Sequence, residues 1–324
     1  MEHGRCRPEQ EGAGAVYGPE QEAKTREKKR GNELGLWFFM VFLRFLGRRG
    51  AYGLLYIVCL YYVLFDRSLV SSAMPYISRR FPDCGILGGR LHAYRLFVSQ
   101  GKQLIDRYAA LSGRAVFEFE FKGHEEFVSL IRDSKRGAIL LTSHQGNWQV
   151  AMTALEKMGK PVRLVMLPDE NPALRRRLYP APEVGDIRII SPQQYMGGVV
   201  EIVNALRRGD VVSIMGDRRY GARAVEVDFL GDKAWFPYSA FSLAASAECP
   251  LVVLKTAKVS TYRYVVDLTN VLYPRYEGRR DRVGQLQPWV QKFVTLTESF
   301  LEEYPYQCFL FRDVWKEEAD GIPA

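Results

Sequence analysis

His144 is the first residue whose position calls for a chemical reading. It lies in GAILLTSHQGNWQVAMTALEKMG, residues 137–159, where an apolar run at 138–141 meets a polar turn and a helical pattern follows. A histidine at the start of a helix sits near free backbone N–H groups and the positive end of the helix dipole, which favour developing negative charge. Strand ends of α/β sheets are also where pockets collect. With a pKa near working pH, the ring could act as general base on a hydroxyl or amine. The spelling Ser-His-Gln-Gly-Asn equally suits a capped turn, so base and cap both stand on local grounds. Gln149 follows five residues later, and on one regular helix it would not share a face with His144. The two can meet if His144 precedes the first turn and folds back over it, an approach that Gly146 would permit.

A second polar turn, Gly216-Asp217-Arg218-Arg219, follows the apolar run at 210–215. Arg218 and Arg219 beside Asp217 could grip a polar or phosphorylated headgroup, since guanidinium groups suit bidentate anion contacts. A salt bridge at a strand end is the plainer alternative. His3 falls in a polar leader, and His92 and His124 lack motif neighbours, so these three are read as surface or structural residues.

These turns must be positioned by a framework, and the bulk numbers bound it. The chain has 324 residues, 47% hydrophobic and 25% charged, enough for one α/β domain with a decorated N-terminus. Its formal net charge of +8 suits an anionic surface without choosing among lipid, nucleic acid and an acidic carrier protein. Five cysteines are scattered with no CxxC spacing, which argues against a zinc site or a disulfide framework. P-loop, dinucleotide and Asp-rich metal motifs are not found, so no cofactor is expected. Basic residues are not gathered into a recognisable nucleic-acid module, and nucleic-acid binding is ranked last.

Residues 1–33 lack apolar periodicity and read as a disordered leader without a cleavable signal. Residues 34–67 read as a membrane-associated helical segment, and 68–324 as the catalytic domain. Two apolar blocks, 34–43 and 51–65, are split by Arg44, Arg48 and Arg49, and neither reaches the roughly 20 residues of a simple span. Their interleaved aromatics and arginines suit a membrane interface, with a pair of buried helices as the alternative. Residues 68–113 read as helical. Beyond them, strands are predicted at 115–121, 137–142, 161–167, 186–190, 210–215, 250–256 and 263–268. Helices are predicted at 124–133, 147–158, 170–178, 193–208, 238–247 and 283–304. The alternation predicts an α/β fold with a central sheet flanked by helices.

The strand–His–helix arrangement resembles the His-x4-Asp/Glu motif of the lysophospholipid acyltransferase superfamily. The spelling His144-Gln-Gly-Asn-Trp148 is similar to its bacterial lipid A late acyltransferase branch. Gly216-Asp217-Arg218, Phe229-Leu230-Gly231 and Trp235-Phe236-Pro237 resemble that branch's downstream block, and the likeness spans roughly residues 36–256. It implies a glycerol-3-phosphate acyltransferase-like mixed sheet. It further implies transfer of an acyl group from acyl carrier protein, or coenzyme A, to a hydroxyl or amine of a lipid or glycolipid. The setting implied is the cytoplasmic face of a bacterial inner membrane.

Carried over, His144 is the base and Gln149 stands where the family places its acid. An amide oxygen can accept the ring N–H but brings no charge to stabilise the imidazolium. Replacing an orienting acid by an amide can cost about 10⁴ in rate, although Cys-His-Asn proteases work with one. Three readings follow: Gln149 suffices, another acid such as Asp217 reaches the ring, or the chain is a weakened relative that binds lipid or carrier. For the oxyanion, backbone N–H groups near Gly146 and the Asn147 side chain are candidates, with helix capping the other use of Asn147. Trp148 reads as packing. Basic runs at 175–177, 207–208 and 279–280 are solvated faces, or docking sites for acyl carrier protein or anionic lipid.

Overall fold

The computed structural model describes residues 41–111, 113, 115–155, 160–166, 187–191, 198–219 and 223–317. The leader at 1–33, the start of the apolar segment, the helix expected at 170–178 and the beginning of that at 193–208 lie outside the described residues. Within them, the fold is a mixed α/β sheet flanked by helices.

The central sheet has seven strands: β1 (Glu118–Lys122), β2 (Ala138–Thr142), β3 (Val162–Val165), β4 (Ile187–Ile190), β5 (Val211–Met215), β8 (Leu251–Lys258) and β9 (Arg263–Leu272). Their spatial order is β1-β9-β8-β2-β5-β3-β4. Strands β8, β2, β5, β3 and β4 run parallel, whereas β9 pairs antiparallel with β8 and carries β1 parallel to itself. All five residues of β2, AILLT, are buried, as a strand covered on both faces requires. Alternation along the strand divides the core. Ile139 and Leu141 face one cluster with Val212, Ile214 and Val253. Ala138 and Leu140 face the other.

Helices close both faces. On the Leu140 side, α4 (His124–Asp133) contributes Phe127 and Ile131, and α5 (Trp148–Leu155) contributes Trp148, Ala151 and Met152. The Leu141 side is covered by α6 (Val199–Arg207), α7 (Ser239–Ala247) and α8 (Gln287–Glu303), while the N-terminal helices α1 (Gly47–Phe65), α2 (Arg67–Arg80) and α3 (Ile86–Leu111) pack on one another and extend the same buried cluster, α3 also meeting α5. The expected helix at 283–304 begins as a short 3₁₀ turn, Gly284–Leu286, before α8.

Sequence reading missed one element, the antiparallel hairpin of β6 (Ala224–Phe229) and β7 (Asp232–Pro237). Its turn is Leu230-Gly231, with φ of 52° and 84°. Two positive φ values are what a type I′ hairpin turn requires, but the common signal is Asn-Gly rather than Leu-Gly. The hairpin is held from outside as well. The Trp235 N–H donates to the Val314 carbonyl at 2.8 Å, and Phe229 stacks on Trp315.

One face of α1, with Ala51, Leu55, Cys59 and Val63, is buried in the core. The other exposes Ile57, Leu60, Tyr61, Leu64 and Phe65. Among the described residues no single helix is long and apolar enough to cross a membrane, while α1 and α2 reach that length and composition only together, bent by 93°. The α2 N-terminus starts afresh at the bend, where the Asp66 carboxylate accepts from the Leu69 N–H at 2.9 Å.

Leu140, at 0% exposure, is central to the smaller core. Leu140→Ala is expected to cost about 2–5 kcal/mol of stability through lost transfer energy and the cavity left behind. A chemical denaturation midpoint compared with wild type reads this directly.

Candidate active site

The register between β2 and β5 brings the two polar turns together. Thr142 is paired with Met215, and His144 and Asp217 each lie two residues beyond. The Gly216 N–H continues the pairing by donating to the Thr142 carbonyl at 2.9 Å. Both side chains therefore emerge at the same end of adjacent parallel strands, where α/β sheets form their sites.

Asp217 then makes a two-point contact. His144 Nδ1 lies 2.9 Å from Asp217 Oδ1, and the His144 backbone N–H donates to Oδ2. The carboxylate is 1% exposed and the imidazole 21%, so the acid is sealed behind a ring that reaches solvent. An ionised carboxylate only accepts hydrogen bonds, which makes Nδ1 the protonated nitrogen and leaves the lone pair on Nε2. Burial alone would raise the Asp217 carboxyl. The His144 charge, its two hydrogen bonds and nearby Arg218 outweigh burial and hold the group below the usual carboxylate range.

The remaining site candidates divide. No hydrogen bond joins Gln149 to His144 among the described residues, and the amide is half-buried on α5. Asn147 is buried and takes the capping alternative: its Oδ1 accepts from the Val150 N–H at 3.4 Å. Its Nδ2 donates to the Gln103 carbonyl at 2.8 Å and to Tyr264 Oη at 3.4 Å, in place of an open donor for an oxyanion. The Gly146 N–H is likewise committed, to the Gln307 carbonyl at 3.0 Å, and the Asn147 N–H donates to Thr256 Oγ1 at 2.9 Å. Helix geometry leaves the N–H groups of Trp148 and Gln149, at the first turn of α5, without intrahelical acceptors.

Gly146 adopts φ of 57°, and a Cβ there would lie 1.6 Å from the Thr256 carbonyl oxygen. Glycine is thus required by both conformation and space. Arg218 and Arg219 do not extend as a headgroup clamp. Arg218 Nη2 donates to the Phe309 and Leu310 carbonyls, each at 2.8 Å, and Arg219 Nη2 to the Lys316 carbonyl at 3.2 Å. They strap the C-terminal segment across the site. That segment was not anticipated: the Phe309 N–H donates to the His144 carbonyl at 2.7 Å, and Gln145 bridges to Cys308. No local motif marks residues 307–310, so only the long-range pairing reveals them.

The sheet thus carries a histidine–carboxylate pair at the ends of two adjacent parallel strands. The chain belongs to the bacterial lipid A biosynthesis acyltransferase family, whose model matches residues 114–317, and it is accordingly an acyltransferase. The match takes in every strand from β1 to β9 and the segment that closes on His144. No curated protein matches the chain.

The sign of the Asp217 shift gives a pH prediction. A carboxyl lowered in the native state stabilises fully above its unfolded value, about 3.9, and loses that contribution as pH falls through the native value. The stability gap between wild type and Asp217→Asn should therefore narrow progressively as the solution is made more acid than about pH 4. Thermal midpoints across a pH series measure it.

Proposed function

We propose that the protein transfers a fatty acyl group from a thioester donor, acyl carrier protein or coenzyme A, to a hydroxyl or amine of a lipid or glycolipid, with His144 as general base. The 2.9 Å contact between His144 Nδ1 and Asp217 Oδ1 carries this reading. Nε2 removes the acceptor proton as the acceptor oxygen or nitrogen attacks the thioester carbonyl. Asp217 stabilises the imidazolium that forms. When the tetrahedral intermediate collapses, the carbon–sulfur bond breaks and the proton passes from Nε2 to the departing thiolate. The N–H groups of Trp148 and Gln149 are the candidates to hold the oxyanion, because those of Gly146 and Asn147 are already bonded.

In this reading Asp217 supplies the charge that Gln149 lacks, and Asn147 positions the helix rather than touching substrate. A binding protein that has lost the chemistry is the alternative that Gln149 suggests, and a carboxylate on the ring weakens its case. The basic run at 279–280 is exposed and available to an acidic carrier protein or anionic lipid. The open apolar face of α1 would lie in the headgroup–acyl boundary of the bacterial inner membrane on its cytoplasmic side.

The test is transfer from labelled acyl-acyl carrier protein to a total bacterial lipid extract by detergent-purified protein. His144→Ala should reduce the rate by at least about 10³, and Asp217→Asn by about 10²–10⁴. Gln149→Ala should stay within about tenfold of wild type, since no orienting charge is removed. Equal loss in the Gln149 and Asp217 variants would return the orienting role to position 149. Full activity of His144→Ala would sink the base assignment.

Membrane docking is checked separately by flotation with vesicles containing anionic phospholipid. Leu60→Glu with Leu64→Glu should lower the bound fraction at least about tenfold, because each leucine contributes about 1.5–3 kcal/mol when buried. Unchanged flotation would place the lipid contact elsewhere.

A further inference from the structure

Behind the His144 turn lies a second buried carboxylate that the reaction does not use. Asp106, on α3, has 0% exposure. Its Oδ1 accepts from the Tyr52 hydroxyl of α1. Its Oδ2 accepts from the Tyr264 hydroxyl of β9 at 2.6 Å and from Lys258 Nζ of β8 at 2.5 Å. Arg48 of α1 places a guanidinium nitrogen 3.8 Å from Oδ1, with the group itself between the Phe117 and Tyr262 rings. One carboxylate thus draws together α1, α3, β8 and β9.

The cluster leads to the catalytic turn by two routes. Tyr264 gives its single hydroxyl proton to Asp106, so toward Asn147 it can only accept, and Nδ2 of Asn147 is the donor at 3.4 Å. One helical turn from Asp106, the Gln103 carbonyl accepts from the same Nδ2 at 2.8 Å. The Gln103 amide donates to Gln307 Oε1 at 3.0 Å, and the Gln307 carbonyl holds the Gly146 N–H. Gln307 also brackets the backbone of Lys258, accepting from its N–H and donating to its carbonyl, both at 2.9 Å. A cap alone would need only Oδ1 of Asn147. Its other end is devoted to α3 and the Asp106 cluster.

Both tyrosines remain protonated donors. Burial first, and then the Asp106 charge, push their hydroxyls above the ordinary value. Buried ionic clusters seldom surpass an apolar core in stability, and in some proteins they serve to fix one arrangement. The partners here are those that decide where α1 sits and how residues 145–147 are held.

We propose that Asp106 is a positioning residue for His144, which couples the seating of α1 to the geometry of the 144–147 turn through Tyr52, Tyr264 and Asn147. This rests on the acyltransferase reading above for its consequence in turnover, but not for its structural test. Helix α1, whose outer face is apolar and open, then acts on the base from across the domain. Removing its hydroxyl contact loosens the turn although Tyr52 touches neither His144 nor Asp217.

The test is amide hydrogen exchange on the full chain in detergent micelles, read by mass spectrometry for wild type, Tyr52→Phe and Tyr264→Phe. Tyr52→Phe should accelerate exchange across 143–151 at least about fivefold while β5, at 211–215, keeps its protection. In the labelled transfer assay the same variant should lower kcat with an unchanged KM for the donor. Faster exchange confined to α1 and α3 in both variants would overturn the proposal. Should either variant fail to fold, wild-type exchange across a urea series decides. Coupling requires 47–59 and 145–151 to open together, with one urea dependence, and independent openings would refute it. Exchange needs no turnover, so a silent transfer assay with coupled exchange would count against the functional reading alone.

Discussion

The pairing of β2 with β5 is the constraint on which the site depends. Two parallel strands in register carry Thr142 opposite Met215, and equal two-residue extensions place a histidine and an aspartate side by side. A slip of one residue would turn one side chain to the opposite face of the sheet, and the 2.9 Å contact could not form. Both strands are buried on both faces, and successive residues join different clusters, Ile139 and Leu141 one and Ala138 and Leu140 the other. Core packing and site geometry are therefore one problem. The C-terminal segment closes it from the other side, through Phe309 on the His144 carbonyl and Arg218 on the carbonyls of Phe309 and Leu310.

Two buried aspartates show how surroundings assign different tasks to one side chain. Asp217 faces a partly exposed imidazole whose charge can change during a reaction, so its interaction strengthens when a proton arrives. Asp106 faces cationic and hydroxyl partners from three other elements, α1, β8 and β9. The first arrangement suits a chemical step, and the second suits holding elements at a defined separation. Asn147 stands between them, capping α5 with one end of its amide and contacting the Tyr264 hydroxyl with the other.

The sequence was legible where the signal was local. Apolar runs and alternation predicted all seven strands of the central sheet, with ends differing by a few residues; β2, AILLT, is continuous because both its faces are buried, whereas β1, EFEFK, alternates and is largely exposed. His144 and Gly146 were visible as a strand-to-helix turn. The β6–β7 hairpin was overlooked, since Leu230-Gly231 is not the usual turn pair. Asp106, Gln103, Tyr264 and Gln307 were not singled out for any role. Each is an ordinary polar residue in its own neighbourhood, and its partners lie far along the chain.

By itself, the sequence determined the alternation of strands and helices, the family resemblance and the residue at which a base could stand. Those follow from periodicity and local spelling, which short-range sterics and burial enforce. Tertiary structure alone decided which acid meets the histidine. Gln149 is five residues away along the chain and makes no hydrogen bond to it among the described residues, while Asp217 is separated by 73 positions and hydrogen bonded. Side-chain contacts across a sheet depend on strand order and register, and long-range pairing sets both.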